Sequence, residues 1–317
     1  METITFILRQ MLNFAIPLLI VALGSMFSSR GGVINIGLDG IMIMGALTSI
    51  TFLRFTEGSM TGQSLLLIAI LIATITGVLV SALHAFAAIN LKADQIISGT
   101  ALNMLAPAFS VFAARLFLGD SIISFKNTYI LQEVPVLSQI PIIGDIFFTK
   151  AYITTYLGIF ILIASQYILY KTRFGLRLRA CGEYPQAPDS VGIDVIRMRW
   201  IGVLISGALG GLGGLVFVMP NSTNFNGTVS GYGFLALAVM ILGQWQPKKI
   251  LYAALFFGML KTLSATYSGI PFFNTLGIPG NYYKLMPYLI TVIVLLVGPK
   301  ALAGPKAEGQ PFEKGMS

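Results

Sequence analysis

Covalent chemistry needs a nucleophile beside a base, a pair of carboxylates, or a set of metal ligands, and this sequence assembles none of these. Its one histidine, His84, falls inside an apolar run, where a hydrogen-bonded interior residue is the commoner use, and no second histidine completes a metal site. The single Cys181 excludes a disulfide within the chain and a thiolate cluster. The acidic residues lie mainly in loops, without a spacing suited to acid–base work. There is no G-x-x-x-x-G-K-S/T phosphate loop. The glycine run from Ser206 to Gly214 has no lysine and is embedded in an apolar stretch. Its pairs Gly207/Gly211 and Gly210/Gly214 are spaced four apart, a pattern that lets helix backbones approach in lipid. The expectation is a chain with no catalytic residues, no metal and no cofactor of its own.

Polar groups at membrane depth are the next candidates. Asp39 lies in RGGVINIGLDG, from Arg30 to Gly40, where glycines and Asn35 precede an apolar run. An ionisable group there is costly and marks a functional site by default, and the glycines suit an irregular helix start lining a cavity. The alternative is a helix cap or an ion pair with Arg30. Asn103, in SGTALN, either lines a polar path or glues helices together. Tyr232, with Phe225, Phe234 and Trp245, could stack on a planar solute or anchor at an interface.

The elements that must position these residues are membrane helices. Apolar runs of spanning length occur at Leu8–Phe27, Val33–Leu53, Leu65–Ile89, Ile96–Leu118, Tyr152–Leu169 and Trp200–Met219. Shorter candidates follow at Ser230–Trp245, Ile250–Thr266 and Leu285–Val297. The fold class is therefore an all-α polytopic membrane protein with about nine (8–10) spans. An open sheet would leave backbone groups unsatisfied in lipid. Nothing at the start reads as a cleaved signal. Residues 1–299 read as one transmembrane domain. Residues 300–317, polar with Gly and Pro, read as a disordered cytosolic tail. The longest loop, Gly119–Lys150, contains Pro135, Pro141 and Gly144 and is either a surface-lying or gating segment or a plain connector.

One connector, Lys171–Arg199, gathers six basic residues with Glu183, Asp189 and Asp194 in a chain that is otherwise 10% charged. Placing it inside the cell puts 13 of the 20 Lys and Arg on the inner side, as the positive-inside rule requires. That placement also accounts for the net charge of +8 without nucleic acid. Within it, GEYPQAPDSVG reads as a short helix ended by glycine, with Pro185 suited to a first turn. Its charge and length suit a docking surface better than a solvated loop.

The run FGLRLRACGEYPQAPDSVGIDVIRMRWIGVLISGALGGLGG resembles the coupling segment and following helix of inner-membrane permeases of ABC importers, in the branched-chain amino acid, ribose and nucleoside branch. SSRGGVINIGLDGIMIMGA, ADQIISGTALN and GYGFLALAVMILGQWQPKK agree, so the likeness runs from about Leu8 to Pro299. Glu183, Ala187 and Gly192 stand at the loop's glutamate, alanine and glycine; Gln186 and Pro188 depart from its usual lysine and alanine. The closest likeness is to nucleoside/simple-sugar permeases, and GGVINIGLDG, where sugar relatives have a GGIDLS-like start, tilts the resemblance toward nucleosides.

The resemblance implies a permease in a bacterial plasma membrane, with ATP and Mg on a partner ATPase that docks at Arg177, Arg179, Glu183, Ala187, Asp189 and Gly192. A second permease subunit and an extracytoplasmic solute-binding lipoprotein complete the expected assembly. Asn35, Asp39, Asn103 and Tyr232 are the expected path residues. A sugar or branched-chain amino acid permease, and an ion-coupled secondary transporter, remain alternatives.

Overall fold

The computed structural model describes residues 2–57, 62–134, 138, 144–269, 279–297 and 304–313. The helices are α1 (Glu2–Arg30), α2 (Leu38–Phe55), α3 (Gln63–Ala85, continued by a π-turn to Asn90), α4 (Gln95–Leu118), α5 (Ile153–Lys171), α6 (Arg173–Glu183), α7 (Gln186–Ser190), α8 (Val195–Asn221), α9 (Tyr232–Leu242), α10 (Pro247–Thr266) and α11 (Gly280–Val297). Among the described residues, six helical stretches are long and apolar enough to cross a membrane: those of α1, α2, α3 with its π-turn, α4, α5 and α8. They coincide with the six long apolar runs, with one correction. The run from Val33 does not begin as helix, because residues 33–37 are irregular and α2 starts at Leu38.

Helix α8 is the axis of the bundle, packed against α1, α2 and α3. Its small residues explain how. A methyl group on Gly211 would stand 2.8 Å from Gly77 Cα of α3, and one on Gly214 would stand 2.9 Å from Met42 Cα of α2. Gly207 faces Ser81 and Gly77, and Gly210 faces Leu38 and Ile41. The 207/211 pair thus seats α3 and the 210/214 pair seats α2, on adjacent faces of one helix. Backbone contact of this kind replaces the hydrophobic driving force that is missing between helices in lipid.

Strands also form, which the all-helical expectation left out. β1 (Ile123–Ser124) pairs with β4 (Asn224–Phe225), and β2 (Leu131–Glu133) pairs with β3 (Thr149–Ala151). All four lie in connections between the spans, where water can satisfy an open edge that hydrocarbon cannot. Gly119–Lys150 is thus partly ordered by its own hairpin and by a ladder to the segment after α8; Pro135 and Pro141 lie outside the described residues. The α6–α7 connector lies at the opposite end of the bundle, beside Arg30 at the end of α1.

Candidate functional site

Seven residues between α1 and α2, Gly31–Gly37, cannot satisfy one another as a helix would. Other elements supply the partners. Ile34 N–H donates to Gln95 Oε1 at 2.7 Å, and Ile34 C=O lies 2.9 Å from His84 Nε2. A carbonyl only accepts, so Nε2 carries the proton and Nδ1 faces the Ser98 hydroxyl at 3.0 Å. Asn103 clamps both sides of the break: its Nδ2 donates to Ile36 O at 2.9 Å and its Oδ1 accepts from Gly40 N–H at 2.8 Å. Asn35 is buried and donates to Ser206 Oγ of α8 at 2.9 Å. Irregular backbone at this position survives because α3, α4 and α8 each contribute a polar side chain to it.

Asp39 does not pair with Arg30. Its Oδ1 accepts from Gly233 N–H at 2.9 Å, capping the first turn of α9 rather than its own helix. Helix α9 has eleven residues, so it rises about 16 Å, roughly half the hydrocarbon thickness. It runs from Asp39 towards Trp245, whose carbonyl receives Arg30 at 3.1 Å. The starts of α2 and α9 therefore meet inside the bundle, with two positive helix ends around one carboxylate. Next to them Tyr232 is buried, its ring 3.9 Å from that of Phe217.

Of the four expected path residues, Asp39, Asn103 and Tyr232 gather at this junction, while Asn35 points to α8. Gln95 and Gly99 were missed although four-residue spacing with Asn103 puts the three on one face of α4. Gly99 lets Gly37 approach: a methyl group there would lie 2.8 Å from Gly37 N.

The connector forms a compact knob. Thr172 caps α6 through Gly175 N–H at 3.2 Å, and Asp194 caps α8 through Arg197 N–H at 2.9 Å. Pro188 fits within α7 because the N–H it lacks falls in the first turn, where no intrahelical acceptor exists. Gly192, at φ +80° with open space around it, ends that turn. Glu183, Ala187, Gly192 and Arg177 are exposed, Asp189 is half-buried, and Arg179 stacks on Tyr170 at 4.8 Å. Leu176, Tyr184 and Val191 stand out from the same knob, each more than 60% exposed.

The knob is welded to the broken segment. Arg30 reaches Glu183 at 3.5 Å, and the Gly182 backbone lies against that of Arg30 closely enough to exclude any side chain. Gly32, at φ +90°, would place a Cβ 3.1 Å from Arg199 Nη2 and 3.4 Å from the Cys181 and Ala307 carbonyls. Cys181 is buried, and burial pushes its thiol up to about 11 despite the Arg199 charge nearby.

Ala307 belongs to the tail expected to be disordered, and residues 304–313 instead pack against this end. Ala307 N–H donates to Gly182 O at 2.9 Å, Gly309 N–H to Gly32 O at 3.1 Å, and Arg199 Nη1 to Gln310 O at 2.7 Å. Composition misled here because the tail's own groups in these bonds are main chain, which no residue type announces.

A bundle of apolar helices, interrupted at a polar junction and carrying a capped, exposed knob at one end, has the form of a membrane permease. The family described as branched-chain amino acid transport system / permease component matches residues 7–295, and the chain belongs to it. It is 42% identical over 314 residues to the nucleoside ABC transporter permease protein NupC of Lactococcus lactis subsp. cremoris, covering 99% of this chain and 98% of that one. The guanosine ABC transporter permease protein NupQ of Bacillus subtilis is 42% identical over 316 residues, with the same coverage. A putative glucose ABC transporter permease of Haloferax volcanii, TsgC13, is 31% identical over 305 residues, covering 91% of this chain and 90% of its own. No solved structure matches the chain.

Proposed function

We propose that this chain is the transmembrane permease subunit of an ATP-driven nucleoside importer in a bacterial plasma membrane, with about nine spans. The observation that carries the substrate class is its 42% identity, over 99% of its length, to two permeases named for nucleosides and guanosine. A solute-binding lipoprotein would deliver solute to the β1–β4 end. A second permease subunit would complete the path. A cytosolic ATPase, holding ATP and Mg, would seat on α6–α7 at Arg177, Arg179, Glu183, Ala187, Asp189 and Gly192.

The contacts supply a route for the stroke. A push on α6 bears on Arg30 through Gly182 and Glu183, and from there on Gly31–Gly37. That segment holds Asn103 and leads into Asp39, so displacement at the knob alters the junction of α2 and α9. The test is uptake of labelled guanosine and uridine by the assembled transporter in proteoliposomes, with glucose, ribose and leucine as competitors. Nucleoside uptake that requires the ATPase upholds the reading. Uptake of the sugars or leucine in its place overturns the substrate, and full uptake without the ATPase overturns the class in favour of an ion-coupled carrier.

A further inference from the structure

The docked tail has no part in the account above, yet it bonds to several separate elements at the knob end. Its main chain bonds to Gly182 of α6, to Gly32 of the broken segment and to Arg199 of α8. Its end pairs with the turn between α3 and α4 through Glu313 and Lys92 at 2.7 Å. The Glu308 carboxyl lies beside the Ser29 hydroxyl and within the field of Arg30.

We propose that residues 304–313 form a releasable clasp that fastens the docking knob to the inner end of the bundle and must open in each transport cycle. The inference rests on α6–α7 being the surface the ATPase engages. Three observations carry it. First, the attachment is polar and shallow: only Pro305 and Ala307 are buried in the strap, and the Lys92–Glu313 pair is exposed. An element held by few apolar contacts opens at low cost.

Second, Arg199 is only 2% exposed, and its guanidinium has one hydrogen-bond acceptor in the strap, while Nε and Nη2 have none among the described residues. A buried cation so poorly paired gains water when the strap lifts. Hydration of those nitrogens offsets part of the cost of opening the strap.

Third, the strap reaches the docking surface itself. Phe312 lines a cleft of about 320 Å³ with Asp189, Gly192, Ile193 and Asp194. Its ring lies 5.9 Å from the Arg199 guanidinium. A partner side chain entering that cleft beside α7 would displace Phe312 and begin to lift the strap from Arg199.

The experiment places cysteines at the two ends of the exposed pair, Lys92→Cys and Glu313→Cys, in a Cys181→Ala background. The assembled transporter is reconstituted with its ATPase and joined by a short bis-thiosulfonate linker that reductant cleaves. Linking is expected to abolish uptake, and reductant to restore it. In parallel, removal of residues 304–317 is expected to raise ATP hydrolysis in the absence of solute above that of the full chain. Uptake by the linked transporter at the unlinked rate, or solute-free hydrolysis unchanged by the truncation, overturns the clasp. ATP-driven uptake by the unlinked variant upholds the ATP-driven permease, and protection of an Ala187→Cys label by the bound ATPase upholds the docking surface, whatever the linker does, so the readings fail separately.

Discussion

Replacing Asn103 by alanine removes both bonds that hold the break before α2, the one to Ile36 O and the one from Gly40 N–H. Each backbone group left without a partner away from water costs about 1–3 kcal/mol, which sets an upper range of roughly 2–6 kcal/mol. Measured polar contacts between membrane helices average nearer ~0.6 kcal/mol, because the separated helices find other partners, so two of them set a floor of about 1 kcal/mol. The site favours the upper part of that range, since Gly40 N–H, in the first turn of α2, and Ile36 C=O, in the break before it, have no helical partner to fall back on. Asn103→Asp separates the two bonds: it keeps an acceptor for Gly40 N–H and loses the donor to Ile36 O. The assay is paired. Thermal aggregation of the detergent-solubilised protein reads stability, and nucleoside uptake per inserted transporter reads function. The alanine variant should melt several degrees lower and lose most uptake while still inserting, with the aspartate variant between it and the parent in stability. Wild-type melting and uptake in Asn103→Ala would refute the claim that this amide holds the junction.

Four further outcomes follow from the geometry. Glu183→Lys puts a second cation beside Arg30 and should leave ATP hydrolysis running with uptake lost; retention of uptake in a transport assay would remove Glu183 from the stroke. Gly192→Pro demands φ near −65° where the chain holds +80° and should abolish co-purification of the ATPase, read by affinity pull-down. Gly211→Val forces α8 away from Gly77 and should cost several kcal/mol by overpacking, seen as loss of monodisperse protein on size exclusion. Glu308 carries a pH signature. Burial holds its carboxyl above the usual carboxylate range, with the Ser29 hydroxyl and the Arg30 charge, itself facing Glu183, pulling it back down. The docked strap therefore binds a proton more tightly than a released one, so docking strengthens as pH falls through that window and weakens as pH rises through it. Protease protection of the tail should follow that slope, and Glu308→Gln should flatten it.

The long spans were legible because spanning length and apolarity leave a helix few alternatives in lipid. The glycine pairs of α8 were legible for a related reason: four-residue spacing fixes a face without reference to any partner. Asp39 shows where such reading ends. Its carboxylate was recognisable as a cap or an ion-pair member, yet its acceptor role lies 194 residues away at α9, a relation that local sequence does not encode. The same holds for Arg199, one of the six basic residues of the connector, found buried against the tail. The tail was misread because low hydrophobicity argues against a packed core, whereas strap docking needs only free main-chain groups opposite Gly32 and Gly182.

The central claim is that the α6–α7 knob faces the cytosol and is covered by the ATPase. Cys181 cannot report on this because its thiol is buried. The direct measurement is labelling of Ala187→Cys, in a Cys181→Ala background, with a membrane-impermeant maleimide in oriented vesicles. Labelling confined to inside-out vesicles, and suppressed when the ATPase subunit is bound, is the predicted result; labelling in right-side-out vesicles would contradict the account.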